Sequence, residues 1–599
     1  GFLDFRGCDV YLDGCVWFAH IRSGKILPMP FRRASFYLLV LPFLIAGCST
    51  KRERPADQDQ RRNIVVIGIE GDVDIFNPVF ASEAIAGEIN DLLYPSLISS
   101  DFDTARGVLR YGPLLAKAWS FQNNDRDLVF WLRSDAKWKD GVRVTARDVQ
   151  FSYELYGDSE LGSVRQSAVE GLRKSKDGSI DVSKSIEVRD DTTVVFHFER
   201  PYAGQLFDAG LPIVPAHVFE KVPRKELRTH DLNRRPVEAG PFELAQWKPM
   251  QEIVLSPNPS SVSPYPAKLS QLIFRILPDY QSRLSHLRTG EIDLLANLKV
   301  EDAQELERSS SSVRVTPIPG RRYHFVGWNN IDQAAYAKSK GRIVLPHPLF
   351  GSVKVRRALT LAINRKEMTS AFLGKYGQEA NGPISPLFRW AYNDTIRPLP
   401  FDPQAAMRLL VEEGWRDRDG DGTLEKGEKE FSFTLKIPAG DPLRANIANV
   451  VQQQLRAVKI AATIEQVERS VFWQDLMQKK YDAWIAGFEV PLQLQLDDLW
   501  GSDLRKYPFN VVSYQDKRAA EILRSVRLTS REIDAAQLWK ELQVIFLRDQ
   551  PCTFLFWVNN LVGVNQRVRG TKIGILGITH AAWDWYVSPD AGKRNVSSK

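Results

Sequence analysis

From Ile64 onward, strand-like and helix-like stretches take turns along the chain, and this alternation restricts the fold more than any other feature. Ile64-Val-Val-Ile-Gly-Ile reads as a buried strand, and Asp74-Ile-Phe-Asn-Pro78 as its turn into a helix from about Ala81 to Leu93. Leu128 to Arg133 is rich in strand formers, Thr145 to Tyr156 opens with a threonine cap and reads as a helix, and Thr192 to Phe198 is again a strand. Lys354 to Leu373 and Pro403 to Glu413 are expected to be helical, Phe431 to Ile437 extended, Asn446 to Ala457 helical, and Ala535 to Trp557 a helix followed by a strand. Such alternation implies α/β lobes. A chain of 599 residues is too long for one hydrophobic core, so two or three lobes are expected.

Staples are scarce. The four cysteines are Cys8, Cys15, Cys48 and Cys552, and no disulfide framework can be built from the last two. Cys552 lies in the apolar run Pro-Cys-Thr-Phe-Leu-Phe-Trp-Val and reads as an inert core thiol. Stability must then come from burial.

Met29 to Cys48 has the build of a lipoprotein export signal. Arg32 and Arg33 give the positive start, Phe36 to Ile45 the apolar middle, and Ile45-Ala46-Gly47-Cys48 a small-residue cut site followed by cysteine. The apolar run is shorter than the roughly 20 residues that span a bilayer. Cleavage before Cys48 and acylation of its thiol would anchor the chain by lipid. Residues 1–28 are expected to be non-native upstream sequence, 29–47 the signal and 48–62 a polar tether. Ser49 after the cysteine leans toward an outer membrane in a cell that has two.

The formal charge of +7 falls to +5 once residues 1–47 are set aside, which is mild for a chain of this length. The one dense basic stretch, Lys51 to Arg62, is interrupted by Glu53, Asp57 and Asp59. A nucleic-acid partner is therefore not expected.

Chemistry-bearing motifs are mostly absent. There is no Gly-x-Ser-x-Gly elbow, no His-Glu-x-x-His and no phosphate-binding Gly-x-x-x-x-Gly-Lys-Ser/Thr loop, and the eight histidines lack metal-ligand spacing. An enzyme is not expected. One constellation does match a known spacing: Asp417, Asp419, Asp421, Gly422, Thr423, Glu425 and Glu428 fall at positions one, three, five, six, seven, nine and twelve of a calcium loop. The entering helix is present, but Phe431 to Ile437 alternates like a strand. A structural calcium ion is weighed there against a plain acidic hairpin; no cofactor is otherwise required.

Several short motifs then occur in a fixed order: Tyr111-Gly-Pro-Leu-Leu-Ala-Lys-Ala-Trp119, Leu128-Val-Phe-Trp-Leu-Arg133, Trp138-Lys-Asp-Gly141 and Thr145-Ala-Arg-Asp-Val-Gln-Phe-Ser152. Leu211 to His217, Ala239 to Leu244 with Trp247, Gly290 to Leu294, Phe325-Val-Gly-Trp-Asn-Asn330 and Val353 to Arg365 follow. Residue by residue these have structural accounts: Gly141 closes a hairpin, Trp119, Trp131 and Trp138 pack a core, Asp148 opens a helix, and Arg356 and Arg357 fix a helix by ion pairs. In sequence they resemble the bacterial extracellular solute-binding proteins of family 5, the oligopeptide- and dipeptide-binding type.

The resemblance implies an α/β fold of the periplasmic-binding-protein type II: two lobes, one bearing an extra small domain, that close on a solute about hinge strands. It implies lobe I from 63–110, 236–318 and 560–599, the small domain at 111–235 and the third lobe at 319–559. Members grip a peptide main chain by backbone hydrogen bonds while wet pockets take side chains. An acid shortly after a Gly-Trp pair usually holds the peptide amine. Here Tyr481 to Pro491 carries Phe488 in place of that tryptophan, and Glu489 is the nearest acid; Asp497 and Asp498 lie further on. Glu489, Trp328, Asn329, Asn330 and Trp500 are the residues expected to line the cleft. The implied function is capture of an oligopeptide, as a monomer in the cell envelope, for delivery to ABC permease and ATPase subunits. A sugar or metal chelate as cargo, a tethered peptide sensor or chaperone, and a hydrolase are the competing readings.

Overall fold

The computed structural model describes residues 63–588 except 177–178 and 310–311. The export signal, the tether, Cys48 and residues 589–599 lie outside the described residues. No helix among the described residues is long and apolar enough to cross a membrane.

An eleven-stranded mixed sheet runs through the molecule. At its centre two long strands, Val313–Trp328 and Cys552–Asn565, pair antiparallel along nearly their whole length, from Val313 opposite Asn565 to Gly327 opposite Cys552. On one flank follow Leu294–Leu295, Ile64–Ile69, Gln271–Ile276, Glu252–Pro257 and Phe242–Lys248; on the other, Ala483–Glu489, Ser432–Pro438 and Ala461–Val467. Ile64–Ile69 pairs parallel on both sides and is buried on both faces, as its unbroken apolar run requires. The carboxylate of Asp293 fixes it: Asp293 accepts from the Val66 amide (2.9 Å) and from Arg567 (2.5 Å), while Arg567 also donates to the Ile64 carbonyl.

A separate four-stranded antiparallel sheet, Ala116–Gln122, Asp127–Leu132, Thr193–His197 and Ile186–Asp190, packs with the helix Ala146–Gly157. One cluster of buried apolar side chains runs through this unit and the first flank of the large sheet alike, including Ile67, Phe76, Trp138, Tyr156 and Trp585. The second flank has its own clusters on its two faces, one around Tyr323, Trp484 and Trp539, the other around Trp328, Phe350 and Leu435.

Local signals explain several boundaries. Thr145 caps its helix and Asp148, at the third position, returns a bond to the Thr145 amide (2.7 Å), a reciprocal capping box. Gly141 has φ +87°, the left-handed turn residue of the Trp138–Val142 hairpin. Trp138 is fully buried, whereas Trp119 and Trp131 are half-buried. The expected single helix from Lys354 to Leu373 is two helices, Val353–Leu361 and Arg365–Leu373. Asn364 breaks it, accepting from the Glu367 amide and so capping the second helix. Arg356 and Arg357 do fix an element, but not through ion pairs. They donate to main-chain carbonyls at the end of the helix Ala536–Asp549: Arg356 to those of Asp549 and Gln550, Arg357 to those of Leu547 and Arg548. The Cys552 thiol is fully buried and burial pushes its pKa well up, in keeping with an inert core residue.

Candidate functional site

The two halves of the large sheet are joined by its two long strands, and the pairing of those strands is interrupted midway. Ile318 faces Asn560 and Arg322 faces Val558, so Pro319, Gly320 and Arg321 together stand opposite Asn559. Such a bulge bends a strand and sharpens its twist. Asn559 fills the gap by accepting from the Gly320 amide (3.1 Å), and Ser385 donates to the Gly320 carbonyl (2.9 Å).

At the end of the bulge, Arg321 and the next residue, Arg322, converge on Glu489, at the end of the neighbouring strand. Arg321 Nη2 lies 2.7 Å from Glu489 Oε1 and Arg322 Nη2 3.5 Å from Oε2, and Arg321 also donates to the Val490 carbonyl. Glu489 is thus partly exposed and already held by two guanidiniums. A ligand amine would have to compete with both of them.

The other residues expected in the cleft are placed elsewhere. Trp328 is fully buried, its indole N–H donating to Thr553 (3.0 Å) and its ring packed on Phe350 and Phe433. Asn329 is fully buried and donates to the Tyr481 carbonyl (3.1 Å); Asn330 donates to those of Trp328 (2.8 Å) and Pro551 (3.0 Å). Trp500 packs against Phe546 and Phe554. These four are core and connector residues. The motif that carries Trp328 to Asn330 sits where its strand dives beneath the second lobe, so it marks a turn into the core instead of a ligand surface.

Two walls face each other instead. On one, the hairpin Ile98–Asp103 and Val108–Pro113 carries Gly107 at its turn and Tyr111 on its second strand. A Cβ on Gly107 would come within 2.4 Å of the Arg389 nitrogen and the Leu387 carbonyl of the opposite lobe, so the two halves touch there through bare backbone. Nearby, Tyr202 donates to the Asp208 carboxylate, and Gly204 stands beside the Gln493 side chain of the other wall. Tyr111 is raised above the ordinary phenol range first by burial and then by the nearby charges of the Glu532 and Asp208 carboxylates, against a hydrogen bond to the Gln493 side chain.

Burial pushes Asp208 and Glu532 up to about 7 each, against the Tyr202 hydrogen bond at Asp208, and Asp497 up to about 6 against the charge of Arg527. Glu532 makes no ion pair with a described residue. Asp497 is within 3.9 Å of Arg527, and with Arg200, Ser502, Lys506, Arg524 and Arg527 it lines a cavity of about 430 Å³ between the small sheet's unit and the second lobe. Asp498 is exposed. The space between the walls therefore offers aromatic faces, an amide and carboxylates that hold their protons unusually tightly. That suits a polar ligand carrying hydrogen-bond donors.

A carboxyl whose folded pKa is raised to about 7 stabilises the folded form in full below about pH 4, and the contribution is lost as pH rises through 7. Between about pH 5 and 7 the ligand-free protein is expected to lose Tm, and Asp208→Asn with Glu532→Gln to flatten that slope. Differential scanning calorimetry of both proteins checks it. Lys479, lowered by burial to about 7, pulls the other way only above that window.

In the acidic loop, Asp417, Asp419 and Glu425 bring ligand atoms within 4.8 Å of one another, while Asp421 and Glu428 are not part of that group. Lys459 Nζ lies 2.5 Å from Asp417 Oδ2 and supplies a positive charge there. The segment leaves as the hairpin Glu425–Lys426 and Lys429–Glu430, with Glu428 in its turn, and Thr423 donates its amide to Asp421.

A sheet shared by two lobes, interrupted between them and flanked by facing polar walls, defines a two-lobed solute receptor. Residues 110–490 match the sequence profile of the bacterial extracellular solute-binding proteins, family 5 Middle. The chain belongs to that family, an exported class of solute-binding proteins and not of enzymes. It is 28% identical over 554 residues to the oligopeptide-binding protein AppA of Bacillus subtilis, covering 89% of this chain and 94% of that one. The structure of AppA from Bacillus subtilis in complex with a nonapeptide superposes with a TM-score of 0.65 at 26% identity, over 88% of this chain and 99% of the other. The fold is also that of NikZ from Campylobacter jejuni in complex with Ni(L-His), at 22% identity and a TM-score of 0.67, over 88% of this chain and 99% of NikZ.

Tyr111 opens a recognised motif, read there for the fold and not for the cleft, while Tyr202, Asp208, Gln493 and Glu532 carry no local spacing that singles them out. Of the acids that the sequence offers after Glu489, Asp497 lines the cavity and Asp498 is exposed.

Proposed function

We propose that this chain captures oligopeptides between its lobes and delivers the closed complex to a membrane permease driven by separate ATPase subunits. The observation that carries the reading is the pair of facing walls on two lobes joined by one interrupted pair of strands. The relation to a nonapeptide-binding protein along almost the whole chain supports it. Closure is useful only if the ligand favours the closed over the open form, since equal affinity for both would shift nothing. Desolvated carboxyls on both walls give a ligand with N–H donors that difference.

The arrangement moves the expected amine contact. Glu489 is neutralised by Arg321 and Arg322, whereas Glu532 makes no ion pair with a described residue, so a peptide amine is satisfied at lower cost by Glu532. The chain is further proposed to be a lipoprotein acylated at Cys48 and to act as a monomer.

The test is to purify the exported protein under native conditions and identify by mass spectrometry what denaturation releases, with the mass of the N-terminal peptide reporting any acyl group on Cys48. Short peptides of mixed sequence are expected; a single sugar or metal chelate would replace the cargo. Glu532→Gln is expected to weaken free-amine peptides about tenfold relative to their acetylated forms, with Glu489→Gln changing that ratio little.

A further inference from the structure

Residues 333–346 stand off the second lobe as an excursion that the ligand cleft does not use. Its first part is the short helix Gln333–Lys338, in which no residue is buried. Its return carries Ile343, Val344 and Leu345 at 52%, 39% and 48% exposure, three consecutive large apolar side chains in solvent. Scattered exposed apolar residues are ordinary, but a contiguous set is not. Beside them Lys338, Lys340 and Arg342 are all exposed and form no ion pair with a described residue.

The base of the excursion is firmly built. The Asp332 amide donates to the Leu345 carbonyl (2.8 Å) and the His347 amide to that of Asn330 (3.0 Å). His347 Nε2 lies 2.9 Å from Asp482, which also accepts from Gln333. The nearby acids are already engaged: Asp332 caps the helix at the Ala335 amide, and Asp503 lies 3.8 Å from Arg505. An apolar tip on a stiff base, ringed by free cations, has the chemistry of a segment that rests in the interface of an anionic bilayer, its apolar side chains at the acyl boundary and its cations among the headgroups.

We propose that residues 338–345 dock this protein on a membrane surface rich in acidic phospholipid. This would hold the second lobe against the bilayer that contains the permease, independently of any lipid on Cys48.

The test uses the full chain with Cys48→Ser, so that no acyl group contributes, and vesicles of phosphatidylcholine with or without phosphatidylglycerol. Hydrogen exchange of the 340–346 amides is expected to slow at least fivefold with phosphatidylglycerol vesicles and not with pure phosphatidylcholine, and to recover at about 0.5 M salt. Two triple variants, Ile343→Ser/Val344→Ser/Leu345→Ser and Lys338→Glu/Lys340→Glu/Arg342→Glu, are expected to abolish the slowing at unchanged Tm. Whatever the N-terminal segment contributes to vesicle binding is common to all three proteins, and the exchange readout is local. Unchanged exchange with anionic vesicles overturns the proposal. So does slowing that appears only when purified permease is added, which would assign the surface to a protein partner.

Discussion

Gly320→Ala is expected to lower stability by about 3 kcal/mol or more and to abolish ligand capture. A Cβ at this position would lie 1.5 Å from the Val558 carbonyl oxygen and 2.5 Å from its carbon, closer than any non-bonded contact. The atom it meets is backbone of the partner strand and cannot rotate away. Relief requires the two long strands to part at their bulge, with loss of the bonds to Asn559 and Ser385. The backbone angles of Gly320 are open to any residue, so the requirement is one of close approach alone. Gly71, with nothing within 4 Å of its added Cβ, is the matched control. Thermal unfolding of both alanine variants, with peptide release measured in parallel, checks the expectation; a Gly320→Ala protein as stable as Gly71→Ala would show that the strands separate freely there.

Arg356→Leu is expected to cost about 4 kcal/mol. The buried guanidinium donates to the carbonyls of Phe350 (2.8 Å), Gly351 (2.9 Å), Gln550 (3.0 Å) and Asp549 (3.2 Å). Burial lowers its pKa to about 10, so it is still charged at neutral pH. Leucine fills part of the volume and leaves three buried acceptors and one partly buried one without this donor, each buried one costing about 1–3 kcal/mol and not fully additive. Because Asp549 and Gln550 directly precede the central strand that starts at Cys552, the loss is expected to loosen that strand's entry. Arg356→Lys should recover only a fraction, since an ammonium has three donors and no planar fork. Denaturant unfolding of the two variants reads the difference, and equal midpoints for Leu and wild type would defeat the argument.

Much of the fold could be read from local chemistry. Thr145 with Asp148, Gly141, and the apolar run at Ile64 each encode a boundary within a few residues, and the structure realises them. Asn364 was a visible cap inside what periodicity alone made one helix, and the cap prevailed. The cleft was less legible. Tyr111, Asp208 and Glu532 meet only after strands hundreds of residues apart have paired; the motif that begins at Tyr111 speaks for the fold, and nothing in the immediate neighbours of Asp208 and Glu532 marks them out. Conversely, Trp328, Asn329 and Asn330 belong to a recognisable motif, yet their work is to pair buried carbonyls and fill space where a strand ends. Glu489 is visible in sequence as an isolated acid, but its two arginine partners reach it only through the bulge, which brings Arg321 and Arg322 to the same carboxylate.

The first flank of the sheet is stitched from the two ends of the described chain. Arg567 donates to the Ile64 carbonyl, Thr579 to Glu88, and the Val587 amide to Asn63. Ile64–Ile69 therefore has its full set of neighbours only once everything up to about residue 587 is present. A chain threading outward with residue 64 ahead cannot complete this lobe until residues near 587 have emerged, which leaves the long-range closure as a late, slow step. The same ordering makes the C-terminal segment a structural keystone: cutting it back would undo a lobe at the opposite end of the sequence.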